Sequence, residues 1–180
     1  MTVKVLHSEA VYHGRAFDVR RDRVRLPTGH STDLEVVVHP GAVTLVPLDR
    51  EGQVWMVRQY RHSAGQVLLE LPAGTLEPGE DPWACAAREC REEIGMAPGR
   101  LSLLGECFLA PGYSTEYMYF FLAEDLTPSP LQADQDEDLR VERVPVARLA
   151  EHVASGELRD AKSLAGFYLA RERLGKPGAT

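Results

Sequence analysis

The stretch Leu71–Met96 reads LPAGTLEPGEDPWACAARECREEIGM and sets Gly74, Glu80, Arg88, Glu89, Glu92, Glu93 and Gly95 at fixed intervals. Written as a pattern, it is Gly, five residues, Glu, seven residues, Arg-Glu, an apolar residue, any residue, Glu-Glu, any residue, Gly and an apolar residue. Residues 81–94 are expected to be helical. Asp81 caps the start, and Pro82 suits the first helical position, where its missing N–H costs nothing. Trp83, Ala87, Cys90 and Ile94 recur at helical spacing and predict the apolar face. Glu89, Glu92 and Glu93 stand three and four apart, so their carboxylates share another face and repel one another. A bound cation resolves that repulsion. Hard oxygen ligands suit Mg²⁺, which commonly joins carboxylates to substrate phosphates. His and Cys are not grouped here, which argues against a tetrahedral zinc site. For Glu80 and Arg88 the favoured reading is a structural ion pair.

Composition bounds the wider picture. A chain of 180 residues holds one domain with a sizeable core and some appendage. A net charge of −7 argues against broad attraction to nucleic acid or to an anionic membrane. A phosphate ligand stays compatible, because a metal ion inverts the local field. Cys85, Cys90 and Cys107 form no CxxC pair and suit a reducing compartment. No opening hydrophobic run resembles a leader and no stretch is long enough to span a bilayer, so the expected location is cytoplasmic.

Outward from the central stretch, strands and turns alternate. Val3–Tyr12, Phe17–Leu26 and Thr32–His39 read as strands separated by His13-Gly14 and Pro27-Thr28-Gly29. Residues 1–40 are therefore expected to form a small antiparallel sheet, with Pro40-Gly41 as a hinge. Ala42–Leu48 and Gln53–Tyr60 form a hairpin around Asp49–Gly52, and Leu68–Leu71 leads into the central loop. Leu101–Leu109, Tyr117–Ala123 and Leu139–Val144 are further strands, and Pro145–Ala154 and Ala161–Arg173 are helices. A polar, acidic loop runs from Thr127 to Asp138, and residues 175–180 are expected to be a flexible tail. One central and two late helices among strands predict an α/β fold, with helices on both faces of a mixed sheet.

The pattern of the central stretch resembles the signature box of the Nudix hydrolases, which cleave nucleoside diphosphates linked to another group. All seven fixed letters are present, a match that average residue usage gives by chance about once in 10⁸ start positions. The resemblance implies a Nudix-type α/β/α sandwich within residues 41–174. It implies that Glu89, Glu92, Glu93 and the backbone carbonyl of Ala73 hold Mg²⁺, with Mn²⁺ as the other option. Glu80 and Arg88 then brace the loop against the helix, and Gly74 and Gly95 are structural.

Val57–Arg61, the run Leu69–Gly74, Pro111 fifteen residues beyond the box and the run Pro111–Glu116 resemble the ADP-ribose pyrophosphatase branch. Ala110 departs from it, since relatives often carry Ser there. The branch implies hydrolysis of ADP-ribose to AMP and ribose 5-phosphate by metal-activated water. It also implies a homodimer formed through the N-terminal strands.

Candidate substrate contacts are Arg61, Glu70, Gly112, Glu116 and Phe17. Arg61 offers a planar fork to a diphosphate or ribose oxygen, and Glu116 accepts hydrogen bonds from sugar hydroxyls. Phe17 either stacks on a purine or belongs to the core. Glu70 binds substrate or metal, or merely pairs with an arginine. Arg58 equally reads as a solvent-facing strand residue. The general base is Glu137, from the acidic loop, or Glu92. Competing readings are hydrolysis of GDP-mannose, an ADP-sugar, NADH or FAD, a non-catalytic nucleotide sensor, and a structural acidic helix.

Overall fold

The computed structural model describes residues 2–132 and 139–175. The chain divides into two compact units, Met1–Gly41 with Cys107–Tyr117, and Ala42–Glu106 with Met118–Thr180.

In the first unit, β1 (Lys4–His13), β2 (Asp18–Arg25) and β3 (Ser31–Val38) form an antiparallel sheet with β2 in the middle. The sheet carries several cross-strand polar pairs. Arg23 meets Asp33 at 2.8 Å, and Arg21 lies 3.5 Å from both Glu9 and Glu35. Asp22 is buried and accepts from Ser8 Oγ at 2.6 Å and Arg20 Nε at 3.0 Å. The Ser8 hydrogen bond is the main cause of its lowered pKa. β1 is exposed along its whole length, Val5, Leu6, Val11 and Tyr12 included. The segment Cys107–Tyr117 joins this unit through Val37, whose N–H donates to the Tyr113 carbonyl and whose carbonyl accepts from Thr115.

The second unit begins with β4 (Ala42–Pro47), buried at every position. Then come β5 (Gln53–Arg61), a 3₁₀ turn at His62–Ala64, β6 (Gln66–Glu70), β7 (Ala73–Thr75), α1 (Pro82–Glu93), β8 (Met96–Ala97) and β9 (Arg100–Phe108). The order continues with β10 (Tyr117–Glu124), β11 (Thr127–Pro128), β12 (Leu139–Pro145), α2 (Val146–Ala154) and α3 (Ala161–Leu174). One sheet runs β7-β4-β10-β9 and is mixed, since β10 pairs parallel and β7 antiparallel to β4. An antiparallel sheet runs β12-β5-β6.

Successive strand side chains point to opposite faces, so a strand buried at every position needs cover on both sides. Val43, Leu45, Phe121 and Ala123 cluster with Cys85, Ala86, Cys90 and Ile94 from the α1 region. Val46 and Leu122 cluster instead with Leu149 of α2, Leu158, and Ala170 and Leu174 of α3. The expected α/β arrangement, helices on both faces of a mixed sheet preceded in the chain by an N-terminal antiparallel sheet, is present.

Two local expectations need correction. The buried face of α1 runs through Cys85, Ala86, Glu89, Cys90 and Glu93, while Trp83 is 45% exposed. Trp83 rests edge-on against Phe121 at 4.9 Å rather than entering the core. The short strands β7, β8 and β11 were not anticipated, because two or three residues carry no readable period. Among the described residues no helix is long and apolar enough to cross a membrane. The expected tail, beyond Gly175, lies outside the described residues.

Candidate active site

α1 starts where the sequence says it should. The Asp81 side chain accepts from the N–H groups of Trp83 and Ala84, and Pro82 follows as the first helical residue. The helix ends at Gly95, whose φ of +71° lies in the region that side chains resist. Between these stops, Glu89 and Glu93 are buried and Glu92 is half-buried.

Arg88 sits at the centre of these carboxylates. Its Nε and Nη2 form a fork on Glu80, each at 2.9 Å. Its Nη1 donates to Glu89 at 2.6 Å and to Glu92 at 2.8 Å. Nη2 also reaches the Thr75 carbonyl at 3.2 Å, tying helix to β7. The Arg88 hydrogen bonds hold the Glu80 pKa at about 2, against the opposing effect of its burial. The Arg88 guanidinium is correspondingly held charged, first by Glu80. Arg88 thus bridges Glu80, Glu89 and Glu92 and offsets part of the repulsion among the glutamates. Burial, reinforced by Glu93, pushes the Cys90 thiol up to about 12. Burial likewise raises Cys85, so neither is a thiolate.

β7 meets α1 through backbone. Ala73 N–H donates to Glu93 Oε2 at 3.1 Å. At Gly74 an added Cβ would lie 1.8 Å from the Glu89 carboxyl carbon, so only glycine lets that carboxylate rest against the strand. Ala73, Gly74, Glu80, Arg88, Glu89, Glu92 and Glu93 therefore form one assembly. Its donors are carboxylate and carbonyl oxygens, which suit a hard divalent cation. Among the described residues no three His, Cys, Asp or Glu side chains converge as a ready ligand set. The carboxylates are arranged around Arg88 instead. The donor chemistry fits such a cation.

A second polar cluster joins β5, β6 and α3. Glu70 is 2% exposed and accepts from Arg61 Nε at 3.1 Å, Arg61 Nη2 at 2.7 Å and Lys162 Nζ at 2.5 Å. Burial alone would raise the Glu70 pKa, but the hydrogen bond from Arg61 and the charge of Lys162 outweigh it and lower it. Lys162 also meets Asp160 at 3.0 Å, and Asp160 caps α3 through Ser163 N–H. The buried Ser163 hydroxyl accepts from Leu71 N–H at 2.8 Å. Of the readings open for Glu70, the structure displays the arginine pair. Asp160, Lys162 and Ser163 were missed by sequence reasoning. The signal available was a capping Asp followed by Lys162 and Ser163 in the first turn, ahead of the largely apolar run from Leu164 to Ala170.

Arg58 is not merely solvent-facing. It pairs with Glu142 at 2.5 Å and with Glu157, which also meets His152 at 2.7 Å.

Phe17, Gly112 and Glu116 belong to the first unit. Phe17 is 43% exposed beside Tyr12, which removes the core reading for it. Gly112 has open space where a Cβ would stand. Glu116 is half-buried in the Cys107–Tyr117 segment, its N–H donating to Ser114 Oγ at 3.1 Å. Glu137 lies outside the described residues. Among the described residues, Leu131 N–H donates to the Arg91 carbonyl, and Arg91 Nε donates to the Ser129 carbonyl, so residues 129–131 are tied to α1.

Comparison with known proteins adds to this geometry. Residues 38–167 match the NUDIX domain, and residues 3–37 match the nucleoside diphosphate sugar hydrolase N-terminal domain. An ADP-ribose pyrophosphatase of Mycobacterium tuberculosis is 39% identical over 91% of this chain and 80% of its own length. One of Bacillus subtilis is 35% identical over 89% of this chain and 88% of its own. A crystal structure described as an ADP compounds hydrolase superposes with a TM-score of 0.89 at 27% identity, covering 100% of this chain and 98% of that one.

Proposed function

The chain belongs to the Nudix family and is a Nudix hydrolase, and from that premise we propose that it hydrolyses the pyrophosphate bond of ADP-ribose to AMP and ribose 5-phosphate. The observation that carries the substrate is the identity, 39% and 35%, held over nearly the whole chain, against 27% for an ADP compounds hydrolase. Likeness to proteins named ADP-ribose pyrophosphatase spans 91% and 89% of this chain, N-terminal sheet included, and is not confined to the box.

Nudix hydrolases generally use a divalent metal, and here we assign Mg²⁺, with Mn²⁺ as a substitute. Glu89, Glu92, Glu93 and the Ala73 carbonyl hold it, with Glu89 and Glu92 yielding part of their contact to Arg88 Nη1. When bound, such a cation neutralises charge on the diphosphate and acidifies water. Glu80 keeps its fork on Arg88, so the loop between β7 and α1 stays braced. Gly74 keeps room for the Glu89 carboxylate, and Gly95 ends the helix behind Glu93. Arg61, aimed by Glu70, grips the diphosphate. Phe17, Gly112 and Glu116 contact the nucleoside and sugar. Glu137 or Glu92 takes the proton from the attacking water. The exposed apolar residues of β1 support a homodimer through the N-terminal strands, and three free cysteines support a cytoplasmic setting.

The test is product release over ADP-ribose, GDP-mannose, ADP-glucose, NADH and FAD, with Mg²⁺ and with chelator. AMP released from ADP-ribose only when Mg²⁺ is present supports the reading. Preferential turnover of another member reassigns Arg61, Glu116 and Gly112. Binding without turnover moves the protein to a sensor role.

A further inference from the structure

Building on the reading that Arg61 grips the substrate diphosphate, we propose that Lys162 is a positioning residue: it fixes Glu70 so that Arg61 keeps its free edge toward the diphosphate. Glu70 occupies the Nε and Nη2 edge of the guanidinium, and Nη1 takes no part in that pairing. The Arg61 side chain is 38% exposed, whereas Glu70 is 2% and Lys162 12% exposed. Arg61 is thus the member of the cluster that meets solvent, and the two groups behind it are enclosed.

The charges of the cluster balance only with Lys162 present. Arg61 and Lys162 face Glu70 and Asp160, and Lys162 touches both carboxylates, at 2.5 and 3.0 Å. Asp160 Oδ2 is already buried without a hydrogen-bond partner. Without the ammonium, Arg61 alone offsets two enclosed carboxylates. Glu93 and Asp160 both attract Arg61, and without the ammonium the pull of Asp160 is no longer offset, which draws the guanidinium inward, away from substrate. Backbone position does not depend on Lys162, because Ser163 Oγ separately holds Leu71 N–H and Asp160 caps α3 through Ser163 N–H. Replacing Lys162 should therefore disturb Arg61 more than the fold.

The test is a double-mutant cycle on KM and kcat, using a nucleoside diphosphate substrate that the wild type turns over, with Tm recorded for each variant. Lys162→Gln should raise KM roughly tenfold, the size expected within one ion-pair network, with a much smaller change in kcat. Lys162→Arg should recover most of the loss. In an Arg61→Gln background, Lys162→Gln should add nothing further to KM. If Lys162→Gln fails to fold, Lys162→Met keeps the aliphatic stem and carries the same expectation. Additive effects in the double variant, or a lowered Tm with unchanged KM, would overturn the inference. If Arg61→Gln raises KM and Lys162→Gln does not, Lys162 fails alone and the substrate role of Arg61 stands. If Arg61→Gln itself leaves KM unchanged, the role of Arg61 fails and the inference with it.

Discussion

Two of the ionic clusters in the second unit are built on opposite terms. Around α1, one guanidinium, Arg88, serves Glu80, Glu89 and Glu92, while Glu93 takes a backbone N–H from Ala73. Counting these five side chains, negative charge exceeds positive by three. At the junction of β6 and α3, Arg61 and Lys162 match Glu70 and Asp160 one for one. A buried ion cluster is stable when its charges are paired and its hydrogen bonds are made. The balanced cluster pairs its charges with its own residues, leaving Asp160 Oδ2 as its one buried oxygen without a partner among the described residues, and suits the task of holding a side chain still. The unbalanced one retains an excess of negative charge, which a divalent cation would offset.

Arg88→Met should break the contrast most severely. It leaves Glu80 and Glu89 without their guanidinium and should cost about 3 kcal/mol of stability, read by denaturant unfolding. Because the carboxylates then lack that partner, Mg²⁺ should raise the variant's Tm by more than it raises the wild type's. A smaller shift would mean that cation and arginine do not compete for the same oxygens.

Glu93→Gln comes next. It removes a proposed metal ligand while keeping shape, and kcat for ADP-ribose should fall ~100-fold or more with the circular-dichroism spectrum unchanged. Near wild-type kcat would remove Glu93 from the metal site.

Gly74→Ala sharpens the same point without touching a charge. The new Cβ must push the Glu89 carboxylate away, since the two would stand 1.8 Å apart. Activity should drop roughly tenfold, in line with losing the support of one ligand. Raising Mg²⁺ should recover part of it.

The smallest effect is a pH slope. The Arg88 fork holds the Glu80 carboxyl at about 2, well below its ordinary value of 4.5. A carboxylate lowered on folding stabilises fully above its unfolded pKa and loses that contribution as pH falls through the folded one. Tm should therefore decline between pH 4.5 and about 2, and Glu80→Gln should decline less steeply over that window. Glu70, lowered in the same sense, adds to the slope from the other cluster.

The contrast also shows what a sequence makes legible. The α1 cluster was readable because its residues fall within one continuous stretch at fixed spacing, and helical geometry converts that spacing into a face. Even there, the wider role of Arg88 was passed over, although its four-residue step to Glu92 is the spacing of a helical ion pair. Trp83 was misread as core because hydrophobicity counts its size and not its place near the helix start, where it stays 45% exposed. The second cluster was half visible. Arg61 and Glu70 are nine residues apart on neighbouring strands, but Lys162 lies 92 residues beyond Glu70. No local period links such a pair, and only the packing of α3 brings them together.

The most direct test of the metal assignment is Mn²⁺ binding followed by electron paramagnetic resonance in the wild type, Glu93→Gln and Lys162→Gln. The account predicts saturable binding in the wild type, weakened at least ~10-fold by Glu93→Gln and unchanged by Lys162→Gln. Equal affinity in the wild type and Glu93→Gln would contradict the claim that the excess negative charge on α1 is there to hold a divalent cation.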